Sequence, residues 1–234
     1  MPGTTIVPAA GRRGLTGLYD PVVALTMRER TFRARLVAQV VAGEPTTVLE
    51  VGCGTGSLTL RLAQALPAAA ITGLDADAAV LLRARAKDRA GAIDWREGTA
   101  TRLPMPEQSR DRIVASLLLH HLTTAEKRVA LAEAFRVLRP GGRLHVADWG
   151  APQDLAMRAA FLALRTLDGF ARTSVHARGE LPTLIEQAGF RDVRRTDRLR
   201  TAWGTLELLV AERPAAAAGS RKTGQAAAVA AIPR

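Results

Sequence analysis

Apolar positions along the chain alternate between short unbroken runs and stretches with helical spacing, the pattern of strands and helices taken in turn. Phe32, Leu36 and Val40 lie four apart and predict a helix over 22–41, stopped by Gly43 and Pro45. A β-branched run predicts the first strand at 46–51, and Leu58, Leu62 and Ala65 then share a helical face. Further strands are expected at 71–75, 93–96 and 142–149, with the fourth strand and its exit together over 111–121. Helices fall between them, one over 78–89 with Asp77 as its cap. Another opens on a Thr123/Glu126 capping box, with Leu131, Phe135 and Leu138 facing the core, and ends at 139–142. Residues 150–180 are Ala-rich, with Met157, Phe161 and Leu164 on one stripe that reads as core packing. A helix over 181–190 precedes two last strands, 191–199 and 204–212. Strand alternating with helix predicts an α/β fold with a doubly wound, Rossmann-like sheet of seven strands.

The most informative stretch is Glu50-Val51-Gly52-Cys53-Gly54-Thr55-Gly56, where the first strand breaks into glycines at every second position. Bare backbone there lets the turn adopt positive φ and lets a ligand lie against it. A dinucleotide fingerprint would need glycine at 57, which is Ser57, and a P-loop would need a Lys that is absent. The acidic Glu50 would repel a pyrophosphate but suits an ammonium group. Asp75 ends the second strand 19 positions past Gly56, close to the offset at which a carboxylate grips ribose hydroxyls. Cys53 reads as a small packing residue rather than a nucleophile.

Charge changes this picture little. The formal net charge is +11, but nearly all of it is Arg, scattered without a block of like charges. Ordinary solvated surface is the first reading, and an anionic substrate or partner the second. Aromatic residues make up only 4%, against a stacking face for nucleic acid. One cysteine excludes an internal disulfide and fits a reducing cytoplasm; no apolar run has membrane-span length, and no signal peptide is read. Residues 1–17 are expected to be flexible, 18–212 to form one domain with 150–180 inserted, and 213–234 to be a disordered Ala-rich basic tail.

The series E-x-G-x-G-x-G at 50–56, S-L-L-L-H-H-L at 116–122 and R-V-L-R-P-G-G-R-L at 136–144 resembles the class I S-adenosylmethionine-dependent methyltransferases. The similarity runs in order from about 46 to 149 and is nearest to the quinone-biosynthesis C-methyltransferases of their small-molecule branch. It implies an antiparallel C-terminal hairpin and S-adenosyl-L-methionine as cofactor, leaving as S-adenosyl-L-homocysteine. Glu50, Gly52, Cys53, Gly54 and Gly56 would hold the methionine end, and Asp75 with Ala76 the ribose. Thr99 and Ala100 would meet the adenine, although Thr99 stands where the family usually has Asp. Ser116 and Leu117 would flank the amino-acid portion. Tyr19 would sit in an N-terminal lid or, equally, in the core.

His120 and His121 leave the fourth strand toward the expected cleft, where one would act as base or orient the acceptor while at least one is structural. His145 reads as a core residue and His176 as an outside candidate for substrate contact. No metal-ligand spacing is seen. The implied reaction is methyl transfer to a small organic acceptor, an aromatic or quinone-like carbon or a hydroxyl. A nucleic-acid base methylase lacks its [DN]-P-P-[FYW] turn here. A phospholipid N-methyltransferase and a cofactor-binding protein without turnover remain as alternatives. Neither nucleic acid nor integral membrane association is expected, and a homodimer is open.

Overall fold

A computed structural model describes residues 27–215. Its elements in chain order are α1 (Glu29–Val41), β1 (Thr47–Val51), α2 (Ser57–Ala65), β2 (Ala70–Asp75), α3 (Ala78–Lys87) and β3 (Ile93–Glu97). Then come β4 (Arg110–Ser116), a 3-10 turn (Leu119–His121), α4 (Thr124–Val137), β5 (Leu138–Trp149), α5 (Leu155–Asp168), α6 (Phe170–Arg178), α7 (Leu181–Gln187), β6 (Arg191–Thr201) and β7 (Gly204–Glu212). They build one seven-stranded sheet in the order β3-β2-β1-β4-β5-β7-β6. The first five strands are parallel; β7 runs antiparallel to β5, and β6 antiparallel to β7. This is the doubly wound Rossmann-like sheet with its terminal antiparallel hairpin.

Chain order reverses across β1, which has β2 on one side and β4 on the other. Ligands of open α/β sheets bind at that switch, beyond the carboxyl ends of the strands. Strand alternation divides the core in two. Leu49 and Val51 pack with Leu131, Val137, Ile185 and Phe190 on one face. Val48 packs with Phe32, Leu36, Leu62 and Phe161 on the other. Parallel strands covered on both faces need the near-continuous apolar runs the sequence carries.

Several local expectations hold. Asp77 caps α3 by accepting from the Ala79 N–H at 2.8 Å, and the Thr123/Glu126 box is formed at both ends. Met157 and Phe161 are buried, so the α5 stripe is core packing. Other expectations move. Leu58 and Leu62 are buried while Ala65 is exposed, because α2 ends there and the chain turns away. The fourth strand stops at Ser116, and its exit carries the histidines on a 3-10 turn. The fifth begins at Leu138 and passes through Pro140-Gly141-Gly142, because Arg213 pairs with it: the Gly141 N–H donates to the Arg213 carbonyl, and the Arg213 N–H to the Gly142 carbonyl. The Arg213 guanidinium also donates to the carbonyls of Phe135, Arg136 and Leu138, so this residue is anchored to the domain rather than part of a free tail. Tyr19, residues 1–17 and residues 216–234 lie outside the described residues. Among those described, no helix is long and apolar enough to cross a membrane.

Candidate active site

The glycine turn between β1 and α2 lies at the switch point. The N–H groups of Gly52 and Cys53 both donate to the Leu74 carbonyl on β2, fixing the turn to the sheet. Gly56 has φ +75°, and a Cβ placed there would come within 2.4 Å of the Trp95 ring. Gly56→Ala is therefore expected to lower the unfolding free energy by at least about 1–3 kcal/mol, the range for a residue held in a disfavoured backbone region. Urea unfolding followed by tryptophan fluorescence reads it, and an unchanged midpoint would contradict the packing described. Gly54 differs: φ is +53°, yet a Cβ there would meet nothing within 4 Å. Space, not packing, lies over that residue.

Asp75 closes the floor of this space. Its carboxylate accepts from the Gly54 N–H at 2.7 Å and from the Asp77 N–H at 3.0 Å. Turn and strand tip are thus one rigid unit, with lone pairs of a half-buried carboxylate still free to accept from hydroxyls. Ala76 follows, half-buried. Cys53 is buried, and burial beside Glu50 and Asp75 pushes its thiol well above the usual range, so it is a packing residue and not a thiolate.

Glu50 occupies an unexpected place. It shares the Val48 face of β1, is 2% exposed, and accepts a hydrogen bond from the Thr59 hydroxyl on α2. Burial pushes its carboxyl up to about 7, against the lowering effect of that hydrogen bond and of Arg33. Its carboxyl group is thus sequestered against α2. Thr99 is exposed on the loop after β3, its hydroxyl 3.3 Å from that of Thr101, and Ala100 packs partly on the core. These two lie beyond the edge of β2, on the Asp75 side.

On the other side, Leu117 follows Ser116 with φ +53°, a left-handed conformation that a branched side chain rarely adopts, and its N–H donates to the Ala147 carbonyl at 2.8 Å. This twist turns the chain out of β4 and into the 3-10 turn that carries His120 and His121. The turn is held by Asp148, whose buried carboxylate accepts from the N–H groups of Leu119 (2.8 Å), His120 (3.3 Å) and Trp149 (2.8 Å) and from His120 Nδ1 (2.8 Å). Burial works to raise this acid, but the His120 and His176 rings and the hydrogen bonds from His120 and Trp149 outweigh it and leave it well below the usual carboxylate range. Since a carboxylate can only accept, the Nδ1 atom of His120 carries a proton, and Nε2 points away from Asp148.

Lys127, fully buried, donates from Nζ to the Leu122 carbonyl and, at 2.7 Å, to that of Arg172, tying the turn to α6. Burial lowers its amine to about 8. His121 is half-buried, and burial beside His120 lowers it to about 3, so it is neutral at pH 7. His176, read from sequence as a possible substrate contact, is wholly buried with Nδ1 2.8 Å from the Trp149 carbonyl. His145 is buried too, but neither ring nitrogen has a partner; burial between Arg112 and Arg143 holds it neutral, at about 3.

Two acids matter here that the sequence did not single out. Asp148 is buried one residue before the end of β5, and an acid at the carboxyl end of a buried strand was a readable signal. Asp168, at the end of α5, carries no pattern; only the fold brings it to His120, with 3.8 Å between its Oδ2 and Nε2. A groove of about 990 Å³ runs between α5 and α6, lined by Leu155, Phe161 and Leu162 with Arg158 and Arg165, and none of the residues of the glycine turn, Asp75 or the histidine turn lines it.

Residues 48–142 match a protein family described as a methyltransferase domain. A demethylmenaquinone methyltransferase from Deinococcus radiodurans is 35% identical over 148 residues, 62% of this chain and 59% of that protein. A malonyl-[acyl-carrier protein] O-methyltransferase from Geobacter sulfurreducens is 34% identical over 184 residues, 75% of this chain and 66% of that protein. The chain thus spans 59% of the first of these relatives and 66% of the second. Among solved structures, the N-methyltransferase NodS from Bradyrhizobium japonicum, in complex with S-adenosyl-L-homocysteine, aligns with a TM-score of 0.64 at 20% identity, covering 82% of this chain and 91% of that one.

Residues 48–142 thus form a methyltransferase domain, on a fold shared with S-adenosylmethionine-dependent methyltransferases. S-Adenosyl-L-methionine is the cofactor of this family, and the residues present fit it. The open space over Gly54 admits a ligand against backbone, and Asp75 offers acceptors for paired hydroxyls.

Proposed function

We propose that this chain moves a methyl group from S-adenosyl-L-methionine to a small organic acceptor. The observation that carries the reading is the unit of Gly54 and Asp75: an unobstructed backbone turn hydrogen-bonded to a carboxylate at the switch point. Asp75, with Ala76 beside it, takes the ribose. The turn from Gly52 to Gly56, with Cys53 packed beneath, takes the methionine end, and Glu50 supplies negative potential under it for the ammonium. Thr99 and Ala100 border the adenine; Ser116 and Leu117 flank the amino-acid portion through backbone groups.

When bound, the cofactor supplies a sulfonium methyl for in-line displacement. The protein's part is alignment, exclusion of water and removal of a proton. His120 suits proton removal, because Asp148 fixes its Nδ1–H and Nε2 therefore presents a lone pair, while His121 lies beside it as a neutral orienting group. A quinone-like aromatic carbon and a hydroxyl or carboxyl oxygen are the two acceptor types, in keeping with the names of the two relatives above.

The test is label transfer from methyl-tritiated cofactor to a panel of demethylated quinols, hydroxylated aromatics, acyl thioesters and phosphatidylethanolamine vesicles. Label in a quinol, phenol or thioester product supports the reading. Label only in phospholipid, or none with any acceptor despite cofactor binding, would overturn the acceptor class or the turnover.

A further inference from the structure

We propose that His120, His121 and Asp168 form a binding site for one divalent transition-metal ion of the zinc type. Each offers one ligand atom, and the three atoms lie within 4.8 Å of one another. The two rings are adjacent on the 3-10 turn, with centroids 3.9 Å apart, and Asp168 reaches them from the end of α5.

The strongest part of the geometry is the pair of His120 Nε2 and Asp168 Oδ2, 3.8 Å apart. Asp148 claims the Nδ1–H, so in the neutral ring a lone pair on Nε2 faces a carboxylate oxygen. Two acceptors in that relation repel unless a proton or a metal cation stands between them. The separation is too long for a hydrogen bond, which spans about 2.7–3.2 Å. It is only a few tenths of an ångström beyond the roughly 3.4 Å edge between two ligands of a tetrahedral ion with bonds of about 2.0–2.1 Å. The widest spacing closes by rotation of the half-exposed His121 and Asp168 side chains. His120 needs no adjustment, because Asp148 already holds it.

That Asp148–His120 contact is also the arrangement that supports a metal-bound imidazole from behind: a carboxylate on the far ring nitrogen fixes the tautomer and raises the basicity of the ligating one. Two nitrogens and one carboxylate oxygen are a donor set zinc accepts, and three protein ligands leave the fourth position open. The inference rests on the reading above only in placing that open position beside the acceptor. There the ion would take an acceptor oxygen or a water, and it would use the same Nε2 lone pair that proton removal requires.

The experiment is calorimetric titration of the chelator-treated full chain with Zn²⁺ against a competing chelator, with Co²⁺ absorption as a second readout. Wild type, Asp168→Asn and His121→Gln are compared, and S-adenosyl-L-homocysteine binding is measured on each. The proposal expects one equivalent bound by wild type with a four-coordinate Co²⁺ spectrum, and at least tenfold weaker binding by both variants. Unchanged S-adenosyl-L-homocysteine affinity would show those variants folded. Absence of Zn²⁺ binding by wild type, or binding undiminished in the variants, would overturn it. Loss of S-adenosyl-L-homocysteine binding by the metal-free wild type would instead strike the methyltransferase reading.

Discussion

Asp148→Ala is expected to lower the unfolding free energy by about 3–5 kcal/mol, because each buried donor left without an acceptor costs roughly 1–3 kcal/mol. Asp148 is 1% exposed and accepts four hydrogen bonds, three from backbone N–H groups and one from His120 Nδ1. Alanine strands all four donors where water cannot replace the carboxylate. The damage is local in origin, since the bonds to Leu119 and His120 are what hold the 3-10 turn to β5. Asp148→Asn keeps one acceptor oxygen but points an NH2 group at backbone donors, so it falls between wild type and alanine. Chemical unfolding in urea measures both. A loss below about 1 kcal/mol for Asp148→Ala would mean that the carboxylate is not the hub described.

Glu50 gives the second large effect, and its sign depends on pH. Burial raises the folded-state carboxyl from 4.5 to about 7. The folded protein therefore holds this proton more tightly than the unfolded chain does between those values. The resulting stability is present below about pH 4.5, declines as pH rises toward 7 and is gone above it. A shift of this size corresponds to about 3 kcal/mol at most. Glu50→Gln retains an oxygen to accept from the Thr59 hydroxyl and cannot ionise. It is expected to remove this component of the pH dependence, and to be more stable than wild type at pH 8 by up to that amount. Urea midpoints of both proteins at pH 5 and pH 8 decide it; parallel profiles would show that Glu50 is not buried as described. If the carboxylate serves the ammonium of the cofactor, wild-type affinity rises with pH up to about 7, while the Gln variant binds more weakly with a flatter profile.

How much of this is legible in the sequence follows from the range of the interactions. The glycine turn, Asp77 as a cap and the Thr123/Glu126 box are each set within a few residues, so their spacing reveals them. The sheet and its hairpin follow from apolar runs and from collinear resemblance to a known family. The end of β4 does not, because Leu117 to Leu119 are apolar and read as strand, whereas tertiary contact with β5 imposes a left-handed residue and a tight turn. Arg213 reads as tail by composition and is fixed by carbonyls more than 70 residues away in the chain. The orientation of Glu50 is hidden because period-2 alternation gives its face but not the Thr59 hydroxyl waiting there. His120, Asp148 and Asp168 lie on three elements, and no local pattern joins them.

The central claim is that the Gly54–Asp75 unit is a cofactor site, and calorimetric titration with S-adenosyl-L-homocysteine tests it most directly. Wild type should bind one equivalent in the micromolar range. Asp75→Ala should lose about 1–3 kcal/mol of that binding, as expected for one or two hydrogen bonds to a charged group. No binding by folded wild-type protein, or an affinity indifferent to Asp75, would contradict it.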